Sequence, residues 1–405
     1  MKIIYITDNF YPPASGHAKA VSVMALNMAK KGHIVKIIAP SPKKFKNYQG
    51  KLNEIPEFKK LNDQNIEIEY MRSLPFIKGD NIIKSIFVLK KDVIRIINRY
   101  SPDIIHYNGW GPICKKSFYI NSIKNFSSIA TCHGVPKHVT SRIIPSTFRY
   151  PRIENIIWNM MVNFYKKIDF VIAPSEYIKE ELIKHGINKN KVKVISNGIE
   201  VKIYKKISGE ERNKLRNKYH LPLNKIIITY IGRIDPEKNL KLLLTISPKI
   251  EKLHKNIFFL VAGAGSYAHN FTNKAKKLEN IKTIDWLDTN GVIDILGISD
   301  IFINPSPSES QSIITLEAMA SSLPLIVIKE GALKNLILDD YNGYSFKMKD
   351  INTCIHHIIR LANSKKLRDK LGNNSRILAK HHDVILSIDK IEKLYYKLYK
   401  KNENI

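Results

Sequence analysis

The chain has 405 residues, 44% of them hydrophobic and 25% charged, and a formal net charge of +30. One hydrophobic core rarely grows to that length, so two or three domains are expected, and the composition is that of a folded globular chain. No apolar run reaches the roughly 18–20 residues that span a bilayer. The N-terminal run Ile3–Ile6 is short, meets Asp8 and has no small-residue cleavage site behind it, which points away from a signal peptide and to a cytoplasmic location. Cys114, Cys132 and Cys354 are far apart and lack CxxC spacing, which argues against a disulfide framework or a zinc site. Residues 1–200 hold 32 basic and 15 acidic residues (+17) and the remainder 34 and 21 (+13), so the excess is no tail. Such a field attracts nucleic acid, anionic lipid or phosphate-bearing substrates, although a general bias toward Ile, Asn and Lys accounts for it equally well.

In chain order, Ile3–Ile6 reads as a strand, Ala18–Lys31 as a helix ending at Gly32, and Ile34–Ala39 as the next strand. Strands follow at Ile66–Tyr70, Ile104–Tyr107, Ile129–Cys132, Phe170–Ala173 and Lys193–Ser196, with helical patterns between most of them. The rhythm pauses over residues 200–224 and restarts with strands at Lys225–Ile231, Ile257–Ala262, Ile281–Ile284, Ile301–Asn304 and Leu325–Ile328. Helices are expected near Leu240–Lys252, Ser312–Ser321 and Lys366–His381, then a basic amphipathic one at Leu386–Lys400. The alternation predicts α/β architecture: two doubly wound parallel-sheet domains, 1–200 and 201–385, with residues 386–405 packing back on the first. Open sheets of this kind bind ligands beyond the carboxyl ends of their strands, so two facing domains would form a cleft there.

Four segments carry candidate chemistry. In Asn304–Ala320 a strand end leads through a polar turn to a helix whose free N–H groups suit an anion or polar ligand. Glu309 lies on that turn. Glu317, eight residues on, falls on roughly the same side, and each carboxylate could accept from a pair of sugar hydroxyls. Spacing alone leaves them equally readable as surface charges. The segment Ile228–Asn239 brings Gly232, Arg233 and Lys238 to a strand end, where a guanidinium fork and a point charge suit a diphosphate. His133, in Thr131-Cys-His-Gly134, can donate to a substrate oxygen or move a proton. The small-residue turn Tyr11–Ala18, with Gly16, lets a ligand approach a helix start. A rival lies at Gly263–Ala268, which fits GxGxxA after a strand with Asp285 about twenty residues on, as a dinucleotide site requires. It follows the second strand of its domain, and the helix after it reads as polar and poorly formed.

Together these segments, with Pro102–His106, Ile195–Ile199 and Asn342-Gly343 in the same order, resemble family 4 of the retaining glycosyltransferases. The resemblance implies the GT-B fold, two Rossmann-like domains facing across a cleft, with the donor held mainly by the second. It implies that Arg233 and Lys238 neutralise the departing diphosphate of a UDP- or GDP-linked sugar, beside Gly232. Glu309 would hold donor-sugar hydroxyls with the backbone of Ser310, Gln311, Ser312 and Ile313, and Glu317 the ribose hydroxyls. His133 would approach the reacting carbon and Gly16 the acceptor or phosphates. No metal and no cofactor is expected. Departures are Ser15 and Ser322 where glycines are common, Leu287 beside the nucleobase position, and Ser310-Gln311-Ser312 after Glu309, whose Ser-Gln is similar to the branch that glucosylates diacylglycerol while Ser312 departs from that branch too.

The expected acceptor is a lipid, a lipid-linked sugar or a polysaccharide. Asn81–Tyr100, with Lys84, Lys91, Arg95 and Arg99, and Arg142–Lys167, with Phe148, Tyr150, Trp158 and Tyr165, could lie on an anionic membrane surface. No specific nucleic-acid partner is expected. The alternatives are an NAD(P)-dependent oxidoreductase using Gly263–Ala268 and a non-catalytic basic protein binding membrane or nucleic acid.

Overall fold

The computed structural model describes residues 1–10, 16–41, 56–64, 66–71, 90–118, 126–137 and 151–403. The chain divides into two compact units, one of residues 1–198 with 385–405, the other of residues 199–384.

The first unit is a seven-stranded parallel sheet of β1 (Lys2–Thr7), β2 (Ile34–Pro40), β3 (Glu67–Met71), β4 (Ile104–Asn108), β5 (Ser127–Thr131), β6 (Phe170–Ala173) and β7 (Val192–Val194). Its order is β3-β2-β1-β4-β5-β6-β7. Helices cover both faces, so β4 and β5 are buried throughout although both carry polar side chains. Register places Thr7 beside Asn108 and Asn108 beside Thr131, so β1, β4 and β5 end in one row. The last helix, Val384–Glu403, completes this unit. Its buried Tyr395 hydroxyl lies 2.5 Å from His106 Nδ1 and 3.1 Å from the Tyr5 hydroxyl, and His106 Nε2 lies 2.7 Å from Thr131 Oγ1. Four polar side chains are thereby satisfied inside a core where an unpaired one would cost about 1–3 kcal/mol. Lys31 adds ion pairs to Asp389 and Glu392 at the exposed rim.

The second unit is a six-stranded parallel sheet of β8 (Ile226–Ile231), β9 (Ile257–Ala262), β10 (Ile281–Ile284), β11 (Ile301–Asn304), β12 (Leu325–Ile328) and β13 (Gly343–Phe346), in the order β10-β9-β8-β11-β12-β13. Ile231, Ala262 and Ile284 end their strands in one row. Below the sheet Arg216, fully buried, donates to Asp300 and to the carbonyls of Pro222, Leu223, Lys225 and Ile298.

Several sequence expectations need correction. The apparent pause at 200–224 contains the helix Gly209–Lys218, and Gly343–Phe346 is a strand. The segment after Gly265 does form a helix, Ala268–Ala275, anchored by the fully buried Phe271. In the helix Pro151–Tyr165, Trp158 and Tyr165 face the core, so neither lies on a membrane-facing surface. Lys84, Arg142, Phe148, Tyr150 and the Tyr11–Ser15 turn lie outside the described residues. All three cysteines are buried and free. Among the described residues, no helix is long and apolar enough to cross a membrane and no cluster of His, Cys, Asp or Glu could hold a metal ion.

Candidate functional site

In the second unit, the loops after β8, β9 and β11 converge at the carboxyl edge of the sheet. β8 ends at Ile231, and Gly232 turns the chain at φ +152°, a conformation that favours glycine. A Cβ on Gly232 would also meet the Tyr230 hydroxyl at 2.9 Å, and that hydroxyl donates to the Arg233 carbonyl. Asp235 then starts the short 3-10 turn Pro236–Lys238, with proline at its first position. This fixes where the two cations point. Arg233 Nη1 pairs with Asp235 Oδ2, and Nη2 pairs with Glu237 Oε1 at 2.9 Å. Lys238, largely buried, reaches Glu309 Oε1 at 2.7 Å and the Ser308 carbonyl at 3.3 Å.

The loop after β11 is built on Asn304. Its Nδ2 donates to Ser312 Oγ and Thr315 Oγ1, each at 3.1 Å, and its Oδ1 accepts from Ser306 N at 3.1 Å. Ser312 takes φ +65° and the helix Ile313–Ala320 begins after it. Glu309 is held from behind: its carbonyl accepts from Ala332 N, and a Cβ on Gly331 would lie 3.1 Å from that oxygen. Gln311 and Ser312 are buried, Ser310 and Ile313 half-buried. Glu317, on the helix, is buried rather than a surface charge. The structure thus puts Lys238 in direct contact with Glu309, with Gly232 and Arg233 on the same loop as Lys238 and Ser310–Ile313 following Glu309 in its own.

The rival motif has another use. A Cβ on Gly263 would fall 1.8 Å from the Gly232 carbonyl oxygen, and one on Gly265 would fall 2.5 Å from the Ile234 oxygen. Ile234 N donates to Ala264 O, and Tyr267 N donates back to Ile234 O. These glycines are small because the Gly232–Asp235 backbone lies against them. The motif supports the Arg233 loop.

The first unit has a polar cluster of its own, at the ends of β1, β4 and β5. His133 Nε2 donates to Asn108 Oδ1 at 3.2 Å, and its ring stacks on His17 at 4.1 Å between centroids. His17 Nε2 lies 3.3 Å from Thr7 Oγ1, which itself donates to Asn9 O. Gly16 opens the His17 helix and is exposed. Asp8 Oδ1 accepts from Ile113 N at 2.7 Å. Gly109 and Gly111 leave room for that carboxyl; a Cβ on Gly111 would lie 2.5 Å from Asp8 Cγ. Burial pushes the Asp8 carboxyl up and pulls His17 down to about 4. His133 is also pulled well down, by burial first and then by His17 and His106.

Sequence reasoning singled out neither His17, Asp8 and Asn108 nor Asp235 and Glu237. His17 and Asp235 stand inside quoted segments, and an acid two residues after an arginine was the available signal for the latter. The partners of Asp8 and His17 depend on strand register, which no local pattern reveals.

The family model for glycosyl transferases group 1 matches residues 211–378, and that for glycosyltransferase family 4 matches residues 14–202. The chain is similar to an alpha-monoglucosyldiacylglycerol synthase of Acholeplasma laidlawii, at 23% identity over 99% of this chain and 98% of that protein. It is also 24% identical to a sulfoquinovosyl transferase of Arabidopsis thaliana over 76% of this chain, a match that spans 59% of that protein's length. Among solved structures, the Anabaena protein HepE in complex with UDP superposes with a TM-score of 0.77 at 17% identity, covering 98% of this chain and all of that one. Two parallel Rossmann-like sheets and two family matches that between them span most of the sequence agree: the chain belongs to family 4 of the glycosyltransferases and has the GT-B fold.

Proposed function

We propose that the protein is a retaining hexosyltransferase, moving a hexose from a nucleoside-diphosphate sugar to a lipid or lipid-linked acceptor of the cell envelope. The observation that carries this reading is the contact between Lys238 and Glu309. A cation suited to a phosphate and a carboxylate suited to sugar hydroxyls stand side by side. A sugar 1-diphosphate has those two needs on adjacent atoms, since its anomeric carbon bears the phosphate. Arg233 and Lys238 stabilise the charge that develops on the departing diphosphate, with no metal required. Glu309 and the backbone of Ser310–Ile313 hold the sugar, and Glu317 the ribose. His133 and Gly16 serve the reacting carbon and the acceptor. The leaving phosphate takes the acceptor's proton as attack proceeds on the face it vacates.

Similarity to proteins named for diacylglycerol glycolipids supports the lipid acceptor. So does the helix Pro151–Tyr165, which exposes Ile153, Ile156 and Met160 at spacings of one helical turn, with Arg152, Lys166 and Lys167 exposed nearby. The test is a thermal-shift panel of UDP-, GDP- and ADP-sugars, followed by transfer from the binder to diacylglycerol in anionic vesicles. NMR of the product then reads the anomeric configuration. Failure of every nucleotide-sugar to shift the melting temperature would sink the proposal.

A further inference from the structure

Arg233 is held on two sides, and the hold is organised by a residue with no role in the reading above. Asp235 uses its two carboxylate oxygens differently. Oδ2 faces the Arg233 guanidinium, while Oδ1 accepts from the backbone N of Ser266 at 2.7 Å and from its hydroxyl at 2.9 Å. A Cβ on Gly265 would lie 2.7 Å from Oδ1, so that residue must lack a side chain for the contact to exist. The loop carrying Arg233 and the loop after β9 are therefore joined through one carboxylate.

A guanidinium has five N–H donors in a rigid fork. Asp235 and Glu237 take one contact on each terminal nitrogen and leave the remaining donors for another anion. Arg233 is about a quarter exposed, whereas its two carboxylate partners are much more buried. Arg233 and Lys238 together face three carboxylates, of Asp235, Glu237 and Glu309. The local charge is thus not an excess of positive charge, and attraction alone gives little reason for a diphosphate to settle there. Orientation is what the arrangement supplies.

We infer that Asp235 is a positioning residue for diphosphate binding, fixing the Arg233 guanidinium against the Gly263–Ser266 loop so that its free N–H edge is presented to the leaving group. This deepens the transferase reading and rests on it. It also explains the Gly263–Ala268 motif, in which Gly265 and Ser266 form the seat of Asp235 while Gly263 admits the Gly232 backbone.

The test is a double-mutant cycle read by titration with UDP, GDP and ADP. Asp235→Asn keeps an oxygen for Ser266 but offers Arg233 no negative charge. The expected result is about a tenfold loss of nucleoside-diphosphate affinity in the wild-type background and no further loss in an Arg233→Ala background. Asp235→Glu should recover part of the affinity, and Ser266→Ala should lose less than Asp235→Asn. A cost that is equal in both backgrounds would mean that Asp235 only braces the loop, and tighter binding would mean that its charge opposes the ligand; either overturns the inference. If none of the three nucleotides binds the wild-type protein, the transferase reading fails instead. In that case nitrogen-15 NMR of the Arg233 side chain in the ligand-free protein still decides the inference. Restricted guanidinium rotation lost in Asp235→Asn supports it, and unchanged rotation overturns it.

Discussion

The two units gather titratable groups at the carboxyl ends of their sheets and treat them in opposite ways. In the second unit, charge is retained and matched: Lys238 with Glu309, and Arg233 with Asp235 and Glu237, as Arg216 is with Asp300 below the sheet. In the first unit, charge is suppressed: Asp8 is pushed toward its neutral acid, and His17, His106 and His133 are held as neutral imidazoles by burial. The difference follows from what the neighbours offer. Loops of the second unit bring opposite charges within hydrogen-bond reach. In the first-unit cluster, His17 and His133 make their contacts to a hydroxyl, an amide and each other's rings, which satisfy hydrogen bonds without balancing a charge. One fold can thus keep matched charges at the edge of one sheet and neutral groups at the edge of the other.

Breaking a matched pair tests the first half of this contrast most severely. Arg216→Met leaves Asp300 to Arg212 alone and takes the donor from the carbonyls of Pro222, Leu223, Lys225 and Ile298, and should cost about 3–5 kcal/mol, read as a shift in the urea midpoint. A loss below about 1 kcal/mol would show that the pairing is incidental. Arg233→Ala should lower the rate of sugar transfer by about 10²–10³-fold and also lower the melting temperature, since the largely buried Asp235 and Glu237 lose their guanidinium. Unimpaired transfer would remove the second-unit site from the reaction.

The suppressed charges make a prediction about pH. His17, with an ordinary value of 6.5, titrates at about 4 in the fold, and His106 at about 3. Between the ordinary value and those lowered ones the unfolded chain binds protons that the folded chain does not, so stability must fall as pH is lowered from about 6.5 toward 4. Each of the two histidines contributes a slope of up to about 1.4 kcal/mol per pH unit. His106→Phe should flatten that slope and cost about 1–3 kcal/mol at pH 7, because Tyr395 and Thr131 lose their shared partner. A slope unchanged by the substitution would place the pH sensitivity elsewhere.

Much of this was legible before the fold. Strand positions came from buried β-branched runs, which a parallel sheet requires, and Arg233, Lys238 and Glu309 from their place after strands. The contact between Lys238 and Glu309 was not, because 71 residues separate them and only the neighbouring of β8 and β11 brings their loops together. Trp158 and Tyr165 were misread for a related reason. Aromatic and basic composition suggested a surface, whereas helical phase turns those two side chains inward and leaves Ile153, Ile156 and Met160 outside. The Gly263–Ala268 motif matched a dinucleotide pattern since both uses demand close backbone approach, and a pattern of glycines does not say what approaches.

The helix carrying Tyr395 has a consequence for how the protein is made. The first sheet is complete only when residues from the far end of the chain cover His106, Tyr5 and Ser127. During synthesis, the second unit is a continuous stretch that leaves the ribosome whole, whereas the first must wait for the final turns. Vectorial folding is therefore expected to run inside-out, the later-encoded sheet maturing before the earlier one. A nascent chain arrested at residue 384 would present a folded second unit beside an unfinished first, so loss of the helix Val384–Glu403 would appear as a defect in a sheet encoded ahead of the whole second unit.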